Sequence, residues 1–275
     1  MNLKEGNMKN LKRKLGVGAM LLLLLSMVYA CNMTSNGSVA DGKMDYTNEE
    51  LKPKAFNKID IDIIADVYYV QNDSDQCEVR FDYSSLNDAE LIENIKKVVK
   101  VVYRDNGIKI GLNGRLEGVS KMQNGHRLKI YVTSPDMINV DMVGVGCFYS
   151  ESINSDEIKF CNEGLGSIKV KKLLANKCEI NNEGVGNVHV EEVKGDTLDI
   201  DNVGVGSVKI RKYQGDKLYI DNEGVGKVDI RVNCNYVKAV SEGVGDVLLS
   251  GVARQLDEQR DGVGSIKKKN FKLLR

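Results

Sequence analysis

The sequence predicts an all-β fold: a flattened parallel β-helix, or solenoid, with two sheets and coils of about 20 residues. The first observation is a Gly-x-Gly turn that returns at steps of 20, 20, 20, 20, 19 and 19 residues. The second is that apolar residues fall in fixed columns, such as Ile168, Val188, Val208 and Val228. Repetition at a fixed short period is typical of solenoids. Alternation of apolar and polar residues within each coil predicts two short strands rather than a helix.

The columns change in the coil that follows Gly224. At a constant spacing of 20 residues, Asn233 follows Tyr213, Lys238 follows Leu218, and Val240 follows Ile220. We interpret Asn233 and Lys238 as breaks in two otherwise apolar columns.

The repeated turn consists of two glycines around one apolar residue. We expect the glycines to permit a sharp reversal through positive φ, and we expect the central residue, such as Val185, to point inward. The second corner of each coil also has turn residues, as at Gly195 and Gly215. The structural turn glycines are Gly144, Gly146, Gly164, Gly166, Gly184, Gly186, Gly204, Gly206, Gly224, Gly226, Gly243, Gly245, Gly262 and Gly264.

An asparagine precedes each of four successive turns: Asn162, Asn182, Asn202 and Asn222. Amide side chains that lie one coil apart can hydrogen-bond along a stack of strands. We therefore predict an asparagine ladder. A single coil buries too little to be stable alone, so stacking on its neighbours is required.

Residues 1–30 have the features of a secretory signal peptide, with basic residues before the uncharged run 15–30. The run ends at Ala30-Cys31, and a small residue before cysteine resembles the lipobox of bacterial lipoproteins. The resemblance implies that Cys31 is lipidated, and that the protein is a membrane-anchored lipoprotein of the bacterial cell envelope, at the outer membrane. The alternative is ordinary cleavage, with Cys31 incidental.

The charge of the chain argues against a nucleic-acid partner. The full sequence has 39 basic and 39 acidic residues; residues 1–30 contain five of the former and one of the latter, so residues 31–275 have a net charge of −4. Such a chain lacks the basic footprint of nucleic-acid-binding proteins. Residues 31–53 are polar and are predicted to be a flexible tether.

Residues 54–140 are predicted to start the solenoid and to cap its open end. They contain alternating strand patterns and one helix near residues 88–99, whose capping box would use Asn87 and Glu90. Asn106-Gly107 predicts a tight hairpin. Residues 141–275 are predicted to form the solenoid of repeated turns.

The order of these segments resembles the putative auto-transporter adhesin, head GIN domain family. The resemblance rests on Phe56–Ile61, Ala65–Val67, the helix, Leu128–Pro135 and the serial Gly-x-Gly turns, over about residues 55–265. It implies a pectin-lyase-like β-helix whose turns join two sheets, and a proposed role in adhesion.

Candidate catalytic and metal-binding residues are few. Histidine occurs only at His126 and His189, and we expect His189 to be a solvated surface residue. Carboxylates form two columns that could act in catalysis or bind a cation, although repetition alone also explains them. These columns are Glu163, Glu183, Glu223 and Glu242, and Asp201 with Asp221. We predict no catalytic residue, no metal site and no cofactor.

Cysteines and aromatic residues add little further chemistry. Five cysteines accompany Cys31: Cys77, Cys147, Cys161, Cys178 and Cys234. Their spacing indicates neither zinc nor a full set of disulfides; Cys178 is expected to be buried, and one bridge involving Cys147 or Cys161 stays open. The aromatic residues considered for contact with sugars are Tyr149, Tyr213 and Tyr219.

The sequence therefore favours a non-enzymatic envelope lipoprotein that acts as a binding scaffold, for example in adhesion. The partners would be the membrane, through the lipid, and an unknown protein or polysaccharide. The alternatives are an envelope sensor or accessory protein and, third, a pectin-lyase-like enzyme that acts on polysaccharides.

Overall fold

The computed structural model describes residues 50–51, 55–74, 76–122 and 126–274, which lie in the compact unit Lys43–Arg275. The predicted signal peptide, the predicted lipidation site Cys31 and most of the predicted tether lie outside the described residues. The described end of the tether, Glu50–Leu51, forms a short strand. In the part of the chain that is described, no helix is long and apolar enough to cross a membrane.

Seventeen strands and one α-helix make up the described chain, together with a short 3-10 helix at Val119–Met122. The strands are β1 (Glu50–Leu51), β2 (Lys58–Ile61), β3 (Ile64–Gln71), β4 (Glu78–Asp82), β5 (Val99–Arg104), β6 (Gly107–Leu112), β7 (Leu128–Ser134), β8 (Asn139–Met142), β9 (Val145–Asn162), β10 (Ser167–Asn182), β11 (Val188–Lys194), β12 (Thr197–Asn202), β13 (Val208–Gln214), β14 (Lys217–Asn222), β15 (Val228–Ser241), β16 (Val247–Arg260) and β17 (Ile266–Leu273). The helix α1 is Ala89–Val98.

Strand pairings run in two series, which we call sheet 1 and sheet 2. Sheet 1 has the order β5, β6, β2, β8, β9, β10, β12, β14, β15, β16. Sheet 2 has the order β1, β4, β7, β3, β9, β10, β11, β13, β15, β16, β17. The long strands β9, β10, β15 and β16 contribute to both. The predicted parallel β-solenoid with two sheets is confirmed, and it has about seven turns.

The core lies between the two sheets. Inward side chains alternate with outward ones along each strand, as the pleat requires. In one coil, Val188 and Val190 of β11 face Leu198 and Ile200 of β12, and all four are fully buried. Burial of each such side chain stabilises the fold by about 1.5–3 kcal/mol.

The N-terminal residues do not form the first coil of the stack. β2 lies between β6 and β8, and β3 lies between β7 and β9. The first strands of the chain thus take central positions in the two sheets. The next strands form the N-terminal end of the solenoid, and β8 and β9 then pair on the other side of β2 and β3. Antiparallel strands close that end, with β5 at the edge of sheet 1 and β1 beside β4 at the edge of sheet 2. The helix α1 also covers it, and its Leu91, Ile95 and Val98 are buried.

Two local predictions in this region differ from the structure in detail. The N-cap of α1 is Asp88, not Asn87, because Asp88 has extended backbone angles and its carboxylate accepts from Leu91 N at 2.9 Å. In the hairpin, the central turn residues are Asp105 and Asn106, whose φ values are 47° and 60°. Gly107 instead pairs with Arg104 as the first residue of β6. Two positive φ values are typical of the type I′ turn.

The prediction that the central residue of each repeated turn points inward is wrong. Leu165, Val185 and Val225 are 53%, 37% and 46% exposed. The alternation of the strands continues through the turn, so Asn182, Gly184 and Gly186 face inward while Val185 faces out.

The repeated glycines are required for space rather than for positive φ. Of the turn glycines, only Gly146 has a positive φ, of 137°. A Cβ atom at Gly186 would overlap the carbonyl oxygen of Gly166 in the preceding coil, and the same holds for Gly206 against Gly186. The coils approach each other so closely at this corner that only glycine fits.

The interpretation of Asn233 and Lys238 as breaks in the apolar columns is also wrong. The register shifts by one residue between Ile210 and Tyr213, so that Tyr213 pairs with Val232. Downstream, Leu218 pairs with Val237 and Ile220 pairs with Ala239, and both partners are buried. A shift of one residue moves every following side chain to the other face, so this 19-residue coil keeps an apolar interior.

The asparagine ladder runs through four coils at the inner corner. Asn162, Asn182, Asn202 and Asn222 are fully buried. Each Nδ2 donates to the Oδ1 of the next residue, at 2.7, 2.8 and 2.7 Å. The last amide donates to Gly245 O at 2.8 Å. Because the corner is buried, these bonds satisfy polar groups that would otherwise be costly to desolvate.

Candidate binding face

The aspartate column lies on the outer face of sheet 1, and the glutamate column lies in the turns that directly follow its strands. Glu183, Glu223 and Glu242 are exposed, and Asp201 and Asp221 are half-buried on the neighbouring strands β12 and β14. Burial, together with the nearby carboxylates of Glu223, Asp201 and Glu242, raises the pKa of Asp221 to about 6.

General acid–base catalysis needs neighbouring groups whose pKa values are driven apart. On this face, burial and the nearby Glu179 carboxylate raise the pKa of Asp199, whereas a hydrogen bond from Lys159 lowers the pKa of Glu179, its in-register neighbour on β10. Glu179 is held by Lys159 at 2.5 Å and by Asn181 at 3.1 Å, so a structural ion pair accounts for its shift. Among the described residues, no group of three or more histidine, cysteine, aspartate or glutamate side chains is arranged to hold a metal ion.

The histidines and cysteines do not converge on a site. Nε2 of His189 is 2.7 Å from Glu191 Oε1 on the surface of sheet 2, whereas Nδ1 of His126 is 2.9 Å from the carbonyl oxygen of Ser85. No disulfide joins the described cysteines, and Cys178 is fully buried. Burial raises the pKa of the Cys178 and Cys161 thiols, which opposes formation of a reactive thiolate.

A polar depression lies at the corner where β3 and β7 end and β9 passes from sheet 2 to sheet 1, and its groups bond to one another. Gln71 donates to Asn154 O at 2.7 Å and accepts from Asn154 N at 2.7 Å. Ser155 donates to Asp136 at 2.9 Å. These bonds hold the corner together and leave few groups for a ligand.

A different feature distinguishes the outer face of sheet 2. Tyr131, Tyr68 and Tyr149 stand in register on the neighbouring strands β7, β3 and β9. Their ring centroids are 5.3 and 5.1 Å apart, with interplanar angles of 22° and 12°. The three half-buried rings therefore form one continuous stack along the solenoid axis.

A cation closes each end of this stack. The guanidinium of Arg80, on β4, lies 4.3 Å from the ring centroid of Tyr131. The ammonium of Lys169, on β10, lies 5.2 Å from the ring centroid of Tyr149. Both contacts have cation–π geometry. We call Arg80, Tyr131, Tyr68, Tyr149 and Lys169 the tyrosine stripe.

The faces of the stacked rings are covered, so the stripe presents ring edges, hydroxyls and cations to solvent. Side chains stand perpendicular to a sheet, which places the hydroxyls outermost. Burial raises the pKa of Tyr68 and of Tyr149, so these hydroxyls stay protonated at neutral pH.

Acidic residues beside the tyrosine stripe are paired with other cations. Asp66 pairs with Arg127 at 3.3 Å, and Glu151 pairs with Lys171 at 2.8 Å. Glu50 of β1 stands in register with Arg80, whereas the register neighbours of Lys169 are Tyr149 and His189.

The row of outward side chains that forms the tyrosine stripe continues past Lys169 through His189 and the exposed Lys209, which follow in register on β11 and β13.

Sequence reasoning included Tyr149 but missed Tyr68 and Tyr131, because their strands are not repeats and the strand order is non-local. The available signal was a tyrosine at an outward position of each predicted strand. Of the other tyrosines considered, Tyr213 is fully buried and cannot contact a sugar.

On the outer face of sheet 1, Tyr219 packs edge-to-face on Tyr236, with ring centroids 5.9 Å apart. The hydroxyl of Tyr236 donates to Asp257 at 2.8 Å. This pair has no cation over either ring among the described contacts. It therefore serves as an aromatic control site for the tyrosine stripe.

The sequence matches a family model described as "Putative auto-transporter adhesin, head GIN domain" over residues 55–253. Among curated proteins, none matches the chain.

Three solved structures are similar to this fold, and each is a putative adhesin. The protein from Bacteroides fragilis is 22% identical, with a TM-score of 0.65 over 80% of this chain and 95% of its own. The protein from Parabacteroides distasonis is 18% identical, with a TM-score of 0.61 over 80% and 95%. The protein from Parabacteroides merdae is 18% identical, with a TM-score of 0.53 over 80% and 94%. At these identities the likeness establishes the solenoid fold.

Proposed function

This chain belongs to the putative auto-transporter adhesin, head GIN domain family, and from that premise we propose that it is a non-enzymatic binding scaffold of the bacterial cell envelope. It acts by contact, as an adhesin does, through the outer face of sheet 2. The family description supports a cell-surface role of this kind.

The tyrosine stripe is the observation that supports this proposal most directly. Its residues come from β4, β7, β3, β9 and β10, of which the first three lie outside the repeated coils. Repetition therefore does not account for it, in contrast to the glutamate columns. Tyrosine and arginine are also the side chains most enriched at binding hot spots.

The absence of enzymatic activity is part of the proposal. Like residues lie over like residues in the glutamate and aspartate columns, and the in-register carboxylates Glu179 and Asp199, whose pKa values shift in opposite directions, include a glutamate that Lys159 holds in an ion pair. New reducing ends or unsaturated products from a polysaccharide, lost in Glu183→Gln or Glu223→Gln, would contradict this part.

A lipid on Cys31 would hold the scaffold at the membrane, with residues 32–49 as the spacer. The proposal rests on the sequence Ala30-Cys31 after the apolar run. Acyl chains provide anchoring in proportion to their buried CH₂ groups, so Cys31→Ser should move the protein from the membrane fraction to the soluble fraction. A variant that still sediments with membranes would disprove lipid anchoring at this residue.

Adhesion itself is tested with beads coated with the full chain, applied to cultured epithelial cells and to bacterial cells. We expect beads that carry the native protein to be retained, and we expect the double variant Tyr68→Ala/Tyr149→Ala to lose most of this retention. The matched control is Tyr219→Ala/Tyr236→Ala on the outer face of sheet 1, which should retain beads as the native protein does. Equal retention for both double variants would overturn the assignment to sheet 2.

A further inference from the structure

We propose that the tyrosine stripe, extended by His189 and Lys209, is a binding track for a linear acidic polysaccharide. This inference rests on the proposed function, because it names the ligand class of the same face. We call these seven residues the cationic track.

The chemistry of the cationic track selects anions. Arg80, Lys169 and Lys209 are cations, and arginine and lysine side chains only donate hydrogen bonds. The tyrosine hydroxyls add neutral donors, and the edge of an aromatic ring is the positive part of its quadrupole. A ligand rich in carboxylates and oxygen acceptors complements all of these groups.

The shape of the cationic track selects an elongated ligand. Its residues occupy one position on each of seven neighbouring strands, in the order β4, β7, β3, β9, β10, β11, β13. At about 4.8 Å per strand, this row is roughly 29 Å long and one side chain wide. A linear polymer that lies along the solenoid axis can contact every member.

Covered ring faces exclude two other classes of ligand. Neutral sugars and unpaired nucleotide bases stack on open aromatic faces. Here each ring face of Tyr131, Tyr68 and Tyr149 is against another ring or a cation. Recognition must therefore use charge and hydrogen bonds rather than stacking.

Flanking ion pairs favour a narrow polymer over a globular protein. Asp66–Arg127 and Glu151–Lys171 lie beside the tyrosine stripe, and Glu191 bonds both His189 and Arg211. A standard protein interface covers about 800 Å² on each partner, which would bury these pairs at a cost in desolvation. A single polysaccharide chain leaves them in water.

The test measures binding of the full chain, purified in detergent, to immobilised sodium polygalacturonate. Pullulan serves as the neutral polymer and poly-L-glutamate as the peptide polyanion. We expect binding to polygalacturonate that weakens as salt rises, because exposed charges are screened. We expect no binding to pullulan and weaker binding to poly-L-glutamate.

Variants locate the site. Arg80→Gln/Lys169→Gln should weaken binding of polygalacturonate about tenfold or more, as loss of two charge-assisted contacts requires. Tyr68→Phe keeps the ring stack and removes one donor, so it should weaken binding by about two- to fivefold. The control Lys177→Gln/Lys217→Gln removes the same charge from exposed positions on sheet 1 and should leave the affinity within about twofold.

Absence of binding at low salt, or an equal loss in the control variant, overturns the proposal. Binding of poly-L-glutamate as tight as that of polygalacturonate also overturns it, in favour of an acidic protein segment. If polygalacturonate does not bind but bead retention still depends on Tyr68 and Tyr149, only the ligand class is wrong. If polygalacturonate does not bind and bead retention does not depend on Tyr68 and Tyr149, the proposed function is rejected as well.

Discussion

The two glycines of each repeated turn lie where successive coils approach too closely for a Cβ atom. Gly206 faces the carbonyl oxygen of Gly186, and Gly186 faces that of Gly166. The valine between them points to solvent and contributes little to the core. The close spacing between coils therefore makes the glycines, and not the valine between them, the essential residues of the turn.

Gly206→Ala should therefore destabilise the protein strongly, because its new methyl group would overlap Gly186 O. We expect a loss of more than about 3 kcal/mol. This corresponds to a decrease of roughly 6–12 °C or more in Tm for a domain of this size. Val205→Ala, on the half-exposed residue beside it, should change Tm by less than about 2 °C. Equal values of Tm for the two variants would contradict the close-approach explanation.

Asp221 makes stability depend on pH. Its pKa is raised from 3.8 to about 6 on folding, so the folded protein binds more protons than the unfolded chain between these values. The free energy of unfolding should therefore fall as pH rises from about 4 to about 6. Because the side chain is half-exposed, solvent screening limits the effect to the order of 1 kcal/mol.

The matching variant is Asp221→Asn, which should raise Tm at pH 7 by about 2–4 °C and leave it unchanged near pH 4. Asp257→Asn is the control, since the hydroxyl of Tyr236 lowers the pKa of that exposed carboxyl. A rise in Tm at both pH values, or for both variants, would show that the carboxylate of Asp221 is not the cause.

At the scale of elements, the asparagine ladder connects the corners of four coils. Asn202 is its most connected member: it accepts from Asn182 at 2.8 Å and donates to Asn222 at 2.7 Å and to Gly226 O at 3.2 Å. The ladder begins at Asn162 because Met142 occupies its position in the coil before, and after Asn222 the position is Ser241.

Asn202→Ala should cost about 3 kcal/mol or more, because it removes these bonds and leaves the buried Nδ2 of Asn182 and Oδ1 of Asn222 without their ladder partner. Asn181→Ala provides the control: Asn181 stands on the outer face of the same sheet, and its substitution should cost less than about 1 kcal/mol. Urea denaturation measures both. Similar midpoints would mean that the ladder does not stabilise the corner.

How much of this fold is readable from sequence depends on whether a feature repeats. The coil length, the strand pattern and the asparagine column repeat, so they could be predicted. The inward position of Gly184 and Gly186 could not, because valine looks like the core residue until the alternation is followed through the turn. The register shift at Val232 needs strand pairings, and the stack of Tyr68 on Tyr131 needs a strand order that is non-local.

For the whole molecule, the two ends of the solenoid are protected differently. At the N-terminal end, β4, β5 and α1 cover the coil that lies there. At the other end, β17 is an edge strand among the described residues, with exposed Lys268, Lys269 and Lys272. Asn270, with a φ of 56°, also breaks the pairing with β16. Lysines and irregular backbone are known protection against pairing between edges.

Replacement of Lys268, Lys269 and Lys272 by threonine should therefore promote association through β17. We expect the sedimentation coefficient of the triple variant to rise with protein concentration, while that of the native protein does not. The control removes the same charge at Lys177, Lys209 and Lys217, which lie on strand faces. Association of the control to the same extent would attribute the effect to net charge instead.

The position of β2 and β3 in the middle of the strand order, although they come first in the chain, has a consequence for the order in which the chain folds. Contacts between successive repeats join residues 20 apart, as in the asparagine ladder, whereas β3 contacts β7 and β9 across 65 and 81 residues. Closing the longer loops costs about 1 kcal/mol more in chain entropy. The N-terminal end should thus form the slow nucleus, and the later coils should then add to it one after another, each at the same low entropic cost.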